Sequence, residues 1–457
     1  MLDRRSVLLG AGSLLLGGGP ARAQSPEQEL SALLKERIDV GRETLGLVAG
    51  QLDGERRIVA AYGRSGADDD RPLDADTVFE IGSITKVFTA LLLADMVGRG
   101  EVALDDTVSK FLPASTKVPD FEGTPITLLD LATYTSGLPR MPANFAPADP
   151  NNPYVDYTPD RLYAFLSDHK LGFKPGTHYE YANFGFGLLG HLLELRGGKS
   201  YEELIVSRIC TPLGLDDTRI TLSGAMRQRL AKGHNAAFAP TANWDFSVMA
   251  GAGALRSTLN DMFKLLEACL EVRPSPLAAA MKLALSVRRP RPQRNREVAL
   301  GWFISDRFKD EIIWKDGGTG GYATLIGYST LTKRNAIVLS NVADYLPNTS
   351  LALHLINAKY ELPKIHHEVP VDPAILATYA GRYAVSPSFV LTVRPDGARL
   401  FVQATGQPEF EVHAESDADF FYAVVNAQIT FAKAEGGVVP SLTLHQNGKD
   451  MLAPRQP

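Results

Sequence analysis

"EIGSITKVFTALLLADMV", Glu80–Val97, decides how this chain is read. A serine, two residues, a lysine and a dozen mostly apolar residues predict a core helix with an ammonium in its first turn. A buried ammonium is costly unless it has a partner or a task. Ser83 and Lys86 stand three apart at the helix start, so their side chains share a face one turn apart. Ser83 falls near the positive end of the helix, where a developing oxyanion is stabilised. A lysine whose pKa is depressed by burial and a nearby cation is partly neutral near pH 7 and can take the serine proton. The spacing alone is weak evidence. "SDHK", Ser167 to Lys170, repeats it, but leads into the loop "LGFKPG" and not into a long apolar helix.

Two companions strengthen the reading. "YEYANFGFGLLG" carries Tyr181 and Asn183, which face the same side if the turn is extended. A phenol near ammonium groups has a lowered pKa and can shuttle protons. An amide can hold the lysine and also donate to a substrate carbonyl. "IIWKDGGTGGY" ends a strand pattern with Lys315-Asp316-Gly317-Gly318. Its glycines let another backbone approach closely, and Lys315 can hold a carboxylate or tune its neighbours by charge. Lys174 to Gly176 also spells Lys-x-Gly, but after a proline in a loop it fits a turn.

The rest of the chain bounds the answer. A net charge of −5 over 457 residues makes no case for nucleic acid as the main partner. The basic run "SVRRPRPQRNRE", with Arg288, Arg289, Arg291, Arg294 and Arg296, is expected to be a solvated loop because of its prolines. An anion-binding role is the alternative. Residues 1–23 have the charged, apolar, small-residue order of an export signal, with cleavage expected before Gln24. Arg4 and Arg5 suggest the twin-arginine route and a periplasmic destination. No later stretch reads as a membrane span. Cys210 and Cys269 are expected to be buried free thiols, though export would permit a disulfide. The histidines show no His-Glu-x-x-His spacing, His366-His367 fall in a linker pattern, and there is no Gly-x-Ser-x-Gly. Neither a metal nor another cofactor is expected.

Organisation follows from the patterning. A helix is expected before Arg42, then a hairpin turning at Asp53-Gly54, then mostly helical patterns from Leu104 to Leu285, then four strand-like segments ending near Val342. A sheet built from both chain ends, with a helical region inserted between them, is the economical architecture. A boundary is expected near Leu362, giving a hydrolase domain over 24–362 and a β-rich accessory domain, a small antiparallel sheet or barrel, over 363–457. Whether the Pro/Asn-dense loop from Met141 to Pro159 closes over a site stays open.

With "GSITK", "LLDLATYTSGLP", "PGTHYEYANFGFGLLG", "GAGALRSTLNDM" and "WKDGGTGGY" in this order, the chain resembles the penicillin-recognising serine hydrolases, and within them the class C β-lactamases and D-alanyl-D-alanine carboxypeptidases. The resemblance spans roughly Leu45 to Val342. It implies an α/β (α+β) β-lactamase/transpeptidase-like fold, an antiparallel sheet flanked by helices with a helical insert, followed by a small all-β domain. It implies an acyl-enzyme hydrolase of β-lactams or D-alanyl peptides, with Ser83 the nucleophile, Lys86 its base partner, and Tyr181 the second base or leaving-group acid. Asn183, Lys315, Gly317 and Gly318 would be substrate-binding, and the N–H groups of Ser83 and Gly318 would hold the oxyanion. The partner would be a small molecule or a cell-wall peptide, and antibiotic resistance an expected consequence. The third motif departs from the usual Lys-Thr-Gly: Asp316 stands where a hydroxyl helps hold a substrate carboxylate. That leaves a broader esterase or D-amino-acid amide hydrolase as the alternative. A non-catalytic penicillin-binding sensor would be labelled stoichiometrically without turnover.

Overall fold

The hairpin at Asp53-Gly54 forms as its sequence requires, with Gly54 in the left-handed region at φ 60°. Its arms are β1 (Gly46–Asp53) and β2 (Arg56–Gly66), followed by β3 (Asp69–Pro72). In the computed structural model, which describes residues 24–457 apart from 294, 423–424, 426, 435–436 and 447–448, these strands make one side of a nine-stranded antiparallel sheet. The other strands come from far along the chain: β4 (Arg289–Pro290), β5 (Arg296–Val298), β6 (Phe303–Arg307), β7 (Asp310–Gly318), β8 (Ala323–Ser329) and β9 (Asn335–Ser340). Their order is β3-β2-β1-β9-β8-β7-β6-β5-β4. Residues 1–23, where an export signal is expected, and Arg294 lie outside the described residues.

Period-two alternation sorts the strand residues onto two cores. Leu47, Ala49, Leu325 and Val338 face α1 (Pro26–Lys35) and the helix Tyr345–Ile356. Val48, Ile326, Ile337 and Leu339 face the inserted helices on the other side. The central inserted helix is α2 (Thr85–Gly98), in which every residue from Thr85 to Met96 is buried. A helix apolar on all sides belongs inside, and this is what carries Lys86 into the interior. Beside it runs α3 (Asn183–Gly197), and α4 (Leu259–Cys269) packs Phe263 against β1 at Gly50. Tyr345–Ile356 is α5.

Residues 381–454 form a separate eight-stranded antiparallel meander, β10 (Gly381–Ser386) to β17 (Lys449–Pro454), with neighbours in chain order. A bridge between Tyr383 and Arg455 and a bond from Gln456 N to Arg382 O (2.7 Å) bring its two ends together, so the meander is a near-closed barrel. Its own core is centred on Tyr379, stacked on Phe431 at 3.9 Å. Closure removes the exposed sheet edges that an open meander would present. The connection into it is held to the first region by Arg37, whose guanidinium donates to Glu43 (2.8 Å) and to the Pro363 carbonyl (2.9 Å).

Two expectations are refined and a third holds. The basic run is not simply a loop: Arg289–Pro290 and Arg296–Val298 pair as edge strands of the main sheet, because a proline is tolerated at an edge. Cys210 and Cys269 are both free; Cys210 is buried but Cys269, at the end of α4, is only half-buried. Lys174 to Gly176 is a turn, with Gly176 at φ 84°. No helix of the described residues is long and apolar enough to cross a membrane.

Candidate active site

Ser83 sits in a tight turn, Gly82–Ile84, that feeds directly into α2. Gly82 has φ 48°, and a Cβ there would meet the Gly318 amide nitrogen at 2.4 Å. Only glycine permits both the turn and this approach. At Gly317 a Cβ would meet the Ile81 carbonyl oxygen at 1.9 Å. The end of β7 is therefore pressed against the backbone that presents Ser83. These two sequence motifs meet because neither carries a side chain at the contact.

The Ser83 hydroxyl receives two bonds. Lys86 Nζ lies 2.9 Å from Ser83 Oγ, and the Tyr181 hydroxyl lies 2.8 Å from it. Lys86 Nζ also donates to Asn183 Oδ1 (2.9 Å) and to the Ala252 carbonyl (2.6 Å). These are three partners for a fully buried amine. As an ammonium it donates to all three. As a neutral amine it keeps the two bonds to Asn183 and Ala252 and turns its lone pair to the Ser83 hydroxyl. Tyr181 and Asn183 flank Ala182, whose extended backbone ends as α3 begins. That change of direction aims both side chains at Lys86.

The electrostatics favour the neutral amine more than water does. Burial, helped by the Lys315 charge and partly offset by Tyr181, pushes Lys86 down to about 8. Burial alone would raise Tyr181, but the Lys315 and Lys86 charges overcome it and bring the phenol down to about 8. Lys315 is itself fully buried. Its Nζ lies 4.1 Å from the Phe303 ring centre and 5.1 Å from that of Tyr181, and 3.0 Å from Asp316 Oδ1. It sits behind the aromatic wall and acts on the site through its charge. Asp316 alternates to the open side of β7, with its side chain 41% exposed. Burial raises its carboxyl, but the charge and hydrogen bond of Lys315 outweigh that and hold it below the usual carboxylate range. The Lys315 ammonium thus neutralises the negative charge that Asp316 brings to the cleft.

These groups open onto a cavity of about 410 Å³ whose wall includes Ser83, Tyr181, Asn183, Asp316 and Gly318. The same wall holds residues that the sequence did not single out, Arg140, Tyr154, Trp244, Phe303 and Tyr345, together with Arg291 of the basic run for which anion binding was the alternative expectation. The loop Met141–Pro159 does reach the site. Its Tyr154 accepts a bond from Asn183 Nδ2 (3.2 Å), stacks on Phe246 (4.5 Å) and touches Trp244. Asn152 and Asp245 clasp that loop to the Trp244 segment with two bonds, 2.8 and 3.1 Å. The loop's length, without regular structure of its own, was the available signal. Arg291 was hidden in the Pro-rich run. The decoy serine Ser167 instead accepts the Lys117 amide at 3.1 Å, and it does not line the cavity.

A buried lysine and a tyrosine converging on one serine, on an antiparallel sheet with a helical insert, define the class: a serine hydrolase. The chain belongs to the Beta-lactamase family, whose model matches residues 30–359, while residues 366–453 match a domain of unknown function (DUF3471). It is 32% identical over 302 residues to the D-alanyl-D-alanine-carboxypeptidase/endopeptidase AmpH of Escherichia coli (strain K12), covering 63% of this chain and 77% of AmpH. It is 24% identical over 420 residues to penicillin-binding protein 4* of Bacillus subtilis (strain 168), covering 86% and 91% of the two chains. Among solved structures it is similar to the octameric penicillin-binding protein homologue from Pyrococcus abyssi, at a TM-score of 0.66 and 22% identity, covering 93% of this chain and 99% of that one.

Proposed function

We propose that this protein hydrolyses β-lactams or D-alanyl peptides through an ester on Ser83. The observation that carries the reading is the double hold on Ser83 Oγ by Lys86 (2.9 Å) and Tyr181 (2.8 Å). The neutral Lys86 amine takes the hydroxyl proton as Oγ attacks the carbonyl carbon. The tetrahedral oxygen settles between the N–H groups of Ser83 and Gly318, at the positive end of α2. Tyr181 delivers a proton to the departing nitrogen, leaving the acyl-enzyme. Water then attacks the ester, with Tyr181 and Lys86 taking up its proton, and Ser83 is released. Asn183 holds Lys86 in place and offers its amide to the acyl portion.

The reading is tested by incubating the protein with a β-lactam, an activated ester or a D-Ala-D-Ala peptide and mapping the adduct by peptide mass spectrometry. The expected adduct is on Ser83, with product accumulating well beyond one equivalent. Unlabelled protein with every acylating probe overturns the reading. One equivalent of label without turnover would mark a sensor. Asp316 favours a second reading, a broader esterase, which would show turnover of aryl esters with none of D-Ala-D-Ala peptides.

The pH profile supplies a further prediction. Loss of the Lys315 charge in Lys315→Met makes the Tyr181 phenolate less favourable and the Lys86 ammonium more favourable. The unpaired Asp316 carboxylate acts in the same sense on both. The reaction starts from neutral Lys86 beside a Tyr181 that still carries its proton, so the pair must have lost one proton, and the rising limb of kcat/KM, expected near pH 8 in the wild type, moves up by ~1 unit or more. An unmoved limb would remove Lys315 from the electrostatics of the site.

We further propose that residues 1–23 direct export to the periplasm by the twin-arginine route and are removed before Gln24, and that 24–362 and 363–457 are the hydrolase and accessory domains. A barrel core separate from the two cores that flank the main sheet supports the second statement.

A further inference from the structure

We propose that Tyr134 is a positioning residue of the reaction: its strained turn and its ring hold Tyr181 where it can protonate the departing atom. This rests on the acyl-enzyme reading, in which Tyr181 is the proton donor.

Tyr134 is buried and has φ 57°. Among the described residues it is the only buried residue other than glycine in the left-handed region. A bulky side chain rarely takes that conformation, and it persists only where the surroundings over-determine it. Here they do. Tyr134 comes two residues after the short helix Leu128–Ala132. The Thr135 N–H donates back to the Asp130 carbonyl (2.9 Å). The Thr135 hydroxyl meets Thr133 Oγ1 (3.0 Å) and donates to Asp130 Oδ1 (3.3 Å).

The turn aims two carbonyls at the strand of chain that leads into Tyr181. Glu180 N–H donates to the Tyr134 carbonyl (2.9 Å) and Gly176 N–H to that of Thr135 (2.8 Å). The Tyr134 ring then lies on the Tyr181 ring, with centroids 4.9 Å apart and planes at 27°, a stacked pair. Phe186, at 5.0 Å, backs the Tyr134 ring in turn. A glycine would take this φ without cost, but it would leave the face of Tyr181 bare. A phenol ring free to turn carries its hydroxyl off Ser83 Oγ, which it meets at 2.8 Å. A misplacement of about 1 Å is enough to cost ~10²-fold in rate. Tyr134 does not line the cleft, so it reaches the substrate only through Tyr181. Its own hydroxyl has no partner among the described residues, which leaves the role to the ring and the backbone.

The test uses the whole protein and two esters of phenylacetylglycine, ethyl and 4-nitrophenyl. Ethoxide must receive a proton as it departs, whereas nitrophenolate leaves without one. The quantity read is kcat/KM for the ethyl ester divided by that for the nitrophenyl ester, which a smaller folded fraction does not change. Tyr134→Leu is expected to lower this ratio ~10-fold or more, a part of the ~10²–10⁴ that a positioned acid contributes. Tyr181→Phe is expected to lower it further, and Tyr134→Phe, which keeps the ring, to leave it unchanged. If Tyr134→Leu fails to fold, Tyr134→Met fills more of the space and is read with the same expectation. Phe263→Leu removes a buried ring far from the cleft, against β1, and is expected to keep the ratio. The proposal is overturned if Tyr134→Leu keeps the ratio, if Tyr134→Phe loses as much of it, or if Phe263→Leu lowers it equally. Ser83 acylated with the ratio unmoved in Tyr134→Leu sinks this proposal alone. Absence of any Ser83 ester with either probe overturns the acyl-enzyme reading with it.

Discussion

Lys86→Met is expected to lower kcat/KM toward any acyl donor by ~10²–10⁴, the range over which a positioned base contributes. Methionine has nearly the length of lysine and fills the same volume. What it cannot do is accept the Ser83 proton or donate to Asn183 Oδ1 and the Ala252 carbonyl. The two acceptors left without a donor cost ~1–3 kcal/mol each. Exchanging a fully buried amine for a thioether offsets much of that, because an ammonium taken from water carries a large desolvation penalty. The fold should therefore survive with a melting temperature close to the wild type's while the rate collapses. Calorimetry beside single-turnover acylation separates the two effects. A variant that stays active would show that Tyr181 suffices as base, whereas one that unfolds would make Lys86 a structural group.

Gly317→Ala is expected to cost ~10²–10³ in kcat, the loss associated with one misplaced oxyanion donor. The added Cβ would sit 1.9 Å from the Ile81 oxygen and 2.5 Å from Thr324 Oγ1. Both belong to the packed interior, Ile81 directly before the Ser83 turn and Thr324 on β8. Neither can move without the other, so the end of β7 must swing away and take the Gly318 amide with it. Gly98→Ala, at the end of α2, is the matched control. A Cβ there meets nothing within 4 Å, and the change should leave the rate alone and add a few tenths of a kcal/mol, up to ~1, to stability. Equal rates in Gly317→Ala and wild type would mean that the Gly318 amide plays no part in the reaction.

The centre of the site was legible because its spacing is local. Ser83 and Lys86 are one helical turn apart, and Tyr181 and Asn183 flank one extended residue, so geometry followed from backbone period alone. The apolar run after Lys86 announced burial, and burial announced a lowered pKa. Other parts depended on contacts between distant segments. Arg291 reads as a solvated charge until Tyr179 and Phe303 are brought beneath it, and a proline-rich basic run gives no hint that it edges a sheet. Asp316 read as a carboxylate standing where the family pattern has a hydroxyl, whereas its pairing with a buried Lys315 depends on how β7 is packed. Tyr154 and Trp244 converge only because Asn152 and Asp245 join two loops far apart in the chain. Closure of the barrel was open in the sequence, since strand lengths and turns fit an open sheet equally well.

The hydroxyls of Thr44 and Ser340 meet at 2.8 Å although 296 residues separate them along the chain. On a ribosome adding ~5–20 residues per second, the first hairpin waits on the order of 15–60 s for the strand that completes it. Throughout that interval β1 offers an unpaired border on which a second nascent chain could zip. Yield in the cell should thus depend on what shields that border during synthesis, and fragments ending before residue 340 should collect as aggregates.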